Sequence, residues 1–262
     1  MDSDQAWEYY GRTEPYFGVL TSPEFRSSEL NDEAKARFFE SGERYVELVL
    51  QHVRETLDPS FRATRALDFG CGVGRLSLPI ARLCESVVGV DVSDSMVECA
   101  RSNAAAFGIT NATFVKGDDQ LSALSGTFDF LNSLIVFQHI PPARGEAILQ
   151  KMLSLLREGG IGALQFTYTF ESSTPLVRQL MVRAYAKLPF VWNARNVLKG
   201  RPFGEPMMQM NEYDLNRVFR ILHEAGCHLI NTRYTETGSF GHRFYGVIIV
   251  FQKERVAGAE HA

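Results

Sequence analysis

The sequence predicts an α/β fold, a mostly parallel sheet with helices on both faces. Three observations predict it. Short apolar runs of strand length alternate with longer stretches of helical periodicity. One run, residues 66–69, ends in glycines at alternate positions, Gly70, Gly72 and Gly74, and a helix-like segment follows. A second run, 87–90, ends in Asp91, at the spacing where nucleotide-binding α/β sheets place a carboxylate for ribose hydroxyls.

The glycine turn narrows the ligand. Glycine lets the chain turn through φ values other residues resist, and it leaves backbone N–H groups open to a ligand. The pattern is G-x-G-x-G, and Arg75 stands where a dinucleotide fingerprint needs its third glycine. Asp68, two residues before Gly70, disfavours a pyrophosphate and favours a cation. Asp68, the three glycines and Asp91 together resemble the class I S-adenosylmethionine-dependent methyltransferases. That resemblance covers about 38–253 and implies a seven-stranded, Rossmann-like sheet with S-adenosylmethionine as cofactor.

In chain order, residues 7–25 are aromatic, with two glycines and two prolines, and predict neither a good helix nor a good strand. They read as a strap on the core or as a lid in which Tyr10, Arg12 and Tyr16 close over the site. Residues 31–57 are a long amphipathic helix stopped by Asp58-Pro59. Pro79 lies deep in the helix after the glycine turn. Residues 93–107 form the next helix, capped by Ser93 and ended at Gly108, and 112–116 form the third strand.

The resemblance implies that Val92 and Met96 touch the adenine, Met96 being equally readable as plain core, and that Asp118 accepts a hydrogen bond from the adenine amino group. Asp119 either joins Asp118 or is a solvated turn residue. Ser133, with Tyr16 and Arg12, completes the expected cofactor contacts.

The run 128–136 is a central strand leading into F-Q-H-I-P-P. His139 in that loop is the candidate catalytic residue, able to take a proton from a hydroxyl nucleophile. The alternative is a structural hydrogen-bonder. The run lacks the N-P-P-Y tetrad of resembling nucleic-acid and glutamine N-methyltransferases, which argues against an exocyclic or amide nitrogen as target. A helix over 143–156 and a fifth strand over 161–168 follow. That strand's end presents Gln165, Thr167 and Tyr168 toward the place of the acceptor, and Gln165 and Tyr168 are candidate acceptor contacts together with Tyr10, Arg75 and Arg178. No acidic pair has a metal-binding arrangement, so no catalytic metal is expected.

Between Glu171 and Glu205 the chain holds no acidic residue, and basic and apolar side chains are interspersed. This insertion reads as a solvated helix, a wall for an anionic acceptor, or a surface for acidic lipid headgroups. A helix over 211–225 and two strands, 229–235 and 244–251, joined by a loop holding Gly238, Gly241 and His242, close the chain. The expected organisation is therefore a strap or lid (1–30), a core (31–170 and 207–253), a lid insertion (171–206) and a frayed tail (254–262).

The length of 262 residues suits one α/β domain with additions. The net charge of −4 argues against a general nucleic-acid binder, so no nucleic-acid partner is expected. The four cysteines are widely spaced, and no secretory leader or membrane-length apolar run is visible, which predicts a cytoplasmic protein. The expected activity is methyl transfer to an oxygen or nitrogen of a small-molecule acceptor, possible alternatives being an NAD-dependent oxidoreductase and a non-catalytic adaptor of the same fold.

Overall fold

A computed structural model describes residues 2–172, 189–198, 201–239 and 242–255. Its strands are β1 (Arg65–Phe69), β2 (Ser86–Asp91), β3 (Ala112–Lys116), β4 (Phe128–Ser133), β5 (Leu156–Ser172), β6 (Leu229–Ser239) and β7 (His242–Gln252). They form one seven-stranded sheet in the order β3-β2-β1-β4-β5-β7-β6. The first five pair in parallel, and β7 runs antiparallel to β5 and β6. From β1 the chain winds outward through β2 and β3, then returns to place β4 on the other side. That reversal opens a crevice at the carboxyl ends of β1 and β4, where such sheets bind ligands.

Both faces of the sheet are covered, which explains why its central strands are apolar throughout. The helix α3 (Asp32–Thr56) starts at Asn31, whose side chain accepts from the Ala34 N–H at 2.9 Å. It lays Val46, Val49, Leu50 and Val53 against Ala66, Phe130 and Ile161. On the opposite face, α6 (Pro142–Leu155) and α8 (Leu215–Glu224) bury Leu149, Met152, Val218 and Leu222 against Leu131, Leu164 and Ile249. The remaining helices are α4 (Ser77–Ala81), α5 (Asp94–Ala106), capped by Ser93, and α7 (Pro189–Leu198). Among the described residues no helix is long and apolar enough to cross a membrane.

The aromatic N-terminus is helical, against expectation: α1 (Ser3–Thr13) is followed by α2 (Pro15–Val19). A capping box starts α1, with the Asp2 side chain accepting from the Gln5 N–H and the Gln5 side chain returning to the Asp2 N–H. Gly11, which argues against a helix by propensity, is needed because a Cβ there would strike Ser93 Oγ on α5. Tertiary contact overrides the local preference. Three other boundaries move. The helix around Pro79 is only five residues long. Its last counterpart begins at Leu215, behind the Asp214 cap, because residues 211–213 hydrogen-bond to the β4–α6 loop and to β5. The final strands run to Ser239 and from His242, so the expected loop is mostly ladder, with Gly241 outside the described residues.

Candidate functional site

The chain leaves β1 through three glycines at φ +73°, +52° and +87°, the left-handed region that side chains resist. At two of them the constraint is also steric. A Cβ on Gly70 would run into Val136, and one on Gly72 would lie 2.5 Å from Val19 Cγ2 of α2. The turn is pinned to β2 by the Gly70 and Cys71 N–H groups, which donate to the Val90 carbonyl at 2.7 and 3.0 Å. Asp91 then takes the Gly72 N–H on one oxygen at 2.9 Å and the Ser93 N–H on the other at 3.0 Å. Loss of solvent pushes its pKa up to about 6 in spite of those two donors.

A cavity opens above this turn. Gly70, Gly72, Asp91, Val92 and Met96 form one side, with Asp118 and Asp119 at the end nearest β3. Leu134, Ile135, Val136 and His139, on the loop after β4, form the other. Asp118 accepts the Ser122 N–H at 2.9 Å, which holds its carboxyl below the ordinary range. His139 is buried, and burial lowers its pKa to about 4. Its Nδ1 lies 2.7 Å from the Gln209 carbonyl, an acceptor, so Nδ1 carries the proton and Nε2 the lone pair.

Several expected contacts lie elsewhere. Asp68 sits behind the glycine turn with both oxygens taken, by Ser77 Oγ at 2.6 Å and Asn132 Nδ2 at 2.8 Å, and burial raises its pKa. Gly74 supports the turn against Ala100, Leu78 and Phe114 rather than facing the cavity. Ser133 is fully buried with its hydroxyl unpartnered. Tyr16 donates to Asn103 Oδ1 at 2.8 Å, and Tyr10 to the Pro206 carbonyl at 2.7 Å, both inside the packing under the N-terminal helices. Arg12 is exposed and does not line the cavity.

Among the acceptor candidates, Arg75 is buried against α3, its nearest partner being Ser41 Oγ at 3.4 Å, and desolvation lowers its pKa to about 10. Gln165 faces the backbone of Ile135, and Tyr168 packs edge-on against Tyr234 and tilted against Tyr245; neither lines the cavity. Arg178 lies outside the described residues. For Arg75, Gln165 and Tyr168 the residue type suited the role, but the packing of a neighbouring element turned the side chain away.

The structure adds contacts that the sequence did not reveal. Ser3, Asp4 and Trp7 of α1, with Gly18 and Val19 of α2, line the cavity opposite the sheet. Trp7 packs edge-on against His139 with 4.8 Å between ring centres. Glu8 caps α5 by accepting from Ser93 Oγ at 2.7 Å and Ser95 Oγ at 2.6 Å. Arg144 of α6 pairs with both Asp119 and Asp4, which raises its pKa. A capping-box motif at Asp2–Gln5 was the available sequence signal for α1; nothing local singles out Arg144. Among the described residues no group of three or more His, Cys, Asp or Glu side chains could hold a metal.

Comparison with known proteins agrees with this geometry. A family model described as a methyltransferase domain matches residues 66–160, from β1 through α6. The 23S rRNA (uracil(1939)-C(5))-methyltransferase RlmD of Marinomonas posidonica is 40% identical over 93 residues, 29% of this chain and 20% of that protein. The ubiquinone biosynthesis O-methyltransferase of Xanthomonas axonopodis pv. citri is 33% identical over 112 residues, 42% of this chain and 45% of that protein. The chain thus spans less than half the length of these curated relatives. The crystal structure of the N-methyltransferase NodS from Bradyrhizobium japonicum WM9, in complex with S-adenosyl-L-homocysteine, superposes with a TM-score of 0.60. It is 14% identical and covers 97% of this chain and 100% of its own, a likeness of fold.

One expectation is overturned here. A net charge of −4 argues against a nucleic-acid partner, yet relatives matching this chain are named as 23S rRNA methyltransferases. Net charge averages over the whole surface and so does not decide whether one face meets RNA. Residues 66–160 thus match a methyltransferase domain, and the sheet order is that of the class I S-adenosylmethionine-dependent methyltransferase fold.

Proposed function

We propose that this chain transfers the methyl group of S-adenosylmethionine to an oxygen or nitrogen of a small-molecule acceptor by in-line displacement. The observation that carries the reading is Asp91, fixed by the Gly72 N–H at 2.9 Å and facing the cavity from the end of β2. The groups present suit the cofactor. Gly70 and Gly72 leave a cradle that a Cβ would fill, Asp91 is an acceptor for ribose hydroxyls, and Asp118 is one for an adenine amino group. Val92, Met96 and Val136 supply apolar walls for a flat ring.

Bound there, the sulfonium supplies an electrophilic methyl group. The protein's part is alignment and exclusion of water, which methyl transfer needs more than covalent help. Trp7 and Val19 cover the cavity from the N-terminal side. His139, neutral and with its lone pair on Nε2, orients an acceptor hydroxyl by accepting its hydrogen in place of that of the Gln138 amide 3.3 Å away; with a pKa of about 4 it is a weak base. On this reading residues 1–30 close the cofactor end of the core, 31–170 and 207–253. Of the expected insertion 171–206, residues 173–188, which hold Arg178 and Arg183, lie outside the described residues. The name of the ubiquinone-pathway relative, an O-methyltransferase, supports an oxygen acceptor.

The test is calorimetric titration with S-adenosylhomocysteine and, separately, NADH, on the wild type and on Asp91→Ala. The expected outcome is binding of the first alone, weakened by the substitution; binding of neither sinks the cofactor reading. Labelled methyl donor is then offered with phenols, amines and carboxylates, and with total RNA. Label in RNA alone would replace the small-molecule acceptor and keep the cofactor.

A further inference from the structure

The carboxyl half of β5 carries two polar side chains on one face, Gln165 and Thr167, between Leu164 and Phe166 on the other. Both are buried, at 6% and 2% exposure. Burying an amide and a hydroxyl in a central strand costs free energy unless each finds a partner, and apolar residues of similar shape would fill the space without that requirement. Both find their partners in the same place, the loop after β4 that walls the cavity. Gln165 Oε1 accepts the Ile135 N–H at 3.1 Å, and Thr167 Oγ1 donates to Gln138 Oε1 at 2.8 Å.

Each contact fixes something the backbone would not adopt alone. Ile135 stands at φ +61°, a conformation that a β-branched residue resists, and its side chain lines the cavity. The Gln165 bond holds that peptide. Thr167, by donating to Gln138 Oε1, turns the Gln138 amide nitrogen toward His139 Nε2, 3.3 Å away. An N–H directed at Nε2 requires the lone pair there, the same tautomer that the Gln209 carbonyl requires at Nδ1. Space for the Gln165 amide is kept open from β7, where a Cβ on Gly246 would lie 2.6 Å from its Nε2.

We propose that Gln165 and Thr167 are positioning residues for methyl transfer, fixing from β5 the strained Ile135 backbone and the tautomer of His139 at the cavity wall. The proposal rests on the methyltransferase reading for its purpose, but its geometry is tested without ligand. Nitrogen-15 NMR of the histidine-labelled protein, with His139 assigned among the six histidines by a His139→Gln variant, reads the tautomer directly. The expected result is a neutral ring protonated at Nδ1 in the wild type and in Thr167→Ser, and a mixture of tautomers in Thr167→Val. A wild-type ring protonated at Nε2 overturns the proposal even if Thr167→Val does not fold. So does a Thr167→Val protein that folds with unchanged His139 signals.

For the Ile135 arm, Gln165→Met and Gly246→Ala should each weaken S-adenosylhomocysteine binding by about tenfold, the scale of one lost buried hydrogen bond. Unchanged affinity in both variants, with circular dichroism showing the native fold, removes the role of Gln165. Absence of binding by the wild type counts against the cofactor reading, and the NMR arm then decides the positioning claim by itself.

Discussion

Asp4, in the first turn of α1, and Arg144, in the first turn of α6, face each other at the mouth of the cavity in a two-armed ion pair, Nη1 to Oδ1 at 2.7 Å and Nη2 to Oδ2 at 2.9 Å. The same guanidinium holds Asp119 with Nε at 2.8 Å. One arginine therefore ties the N-terminal helix to the end of the cavity nearest β3. Both partners of the α1 pair are partly exposed, 29% and 44%, so it contributes on the order of 1 kcal/mol or less and is screened by salt. That is a latch weak enough to open.

Asp4→Asn and Arg144→Met should accordingly speed the release of S-adenosylhomocysteine several-fold while moving the melting temperature little. High salt should speed release from the wild type and leave Asp4→Asn nearly unaffected. Stopped-flow fluorescence can follow this, because Trp7 sits in the cavity wall beside His139. Equal salt dependence in wild type and variant would show that other contacts hold α1.

Gly72→Ala should abolish tight cofactor binding for two separable reasons. A side chain at φ +52° costs about 1–2 kcal/mol in backbone strain, and the new Cβ would press on Val19. Adding Val19→Ala removes the second cause only. The double variant should therefore bind more tightly than Gly72→Ala and more weakly than Val19→Ala, as measured by calorimetry.

The pH dependence of stability contains two opposed contributions from the cavity. His139 falls from an ordinary 6.5 to about 4, so the native state resists a proton that the unfolded chain takes up, and stability is lost as pH falls from 6.5 toward 4. Asp91 rises from 3.8 to about 6, so the native state holds a proton that the unfolded chain has released, and stability is lost as pH rises from 3.8 toward 6. Each is on the order of 3 kcal/mol, and they largely offset one another. Urea unfolding across this range should show Asp91→Asn losing stability on acidification more steeply than the wild type, and His139→Gln gaining it. Parallel curves for all three proteins would contradict both pKa shifts.

Asp129 offers a contrast far from the cavity. Its buried carboxylate accepts the Thr64 and Arg65 N–H groups at 3.0 Å each, joining the start of β1 to β4. Asp129→Ala strands both donors and should cost about 2–4 kcal/mol in denaturant unfolding. The affinity of the folded protein for S-adenosylhomocysteine should not change.

What the sequence alone determined was local. The glycine turn, the strands around it, Asp91 at the end of β2 and the cap at Ser93 depend on φ values, period and hydrogen-bond chemistry within a few residues. For that reason the α/β fold and the cavity floor could be read from residue order. Which side chains face the cavity was decided by the tertiary structure. Arg75 follows the glycines directly yet points into α3, Asp68 spends both oxygens behind the turn, and Tyr10 and Tyr16 are held inside the packing. Asp4, Trp7 and Arg144, with no motif to mark them, meet around the mouth. A side chain's direction is set by the element that packs over it, and the closing of α1 across α5 and α6 brings together residues as far apart in the chain as Asp4 and Arg144.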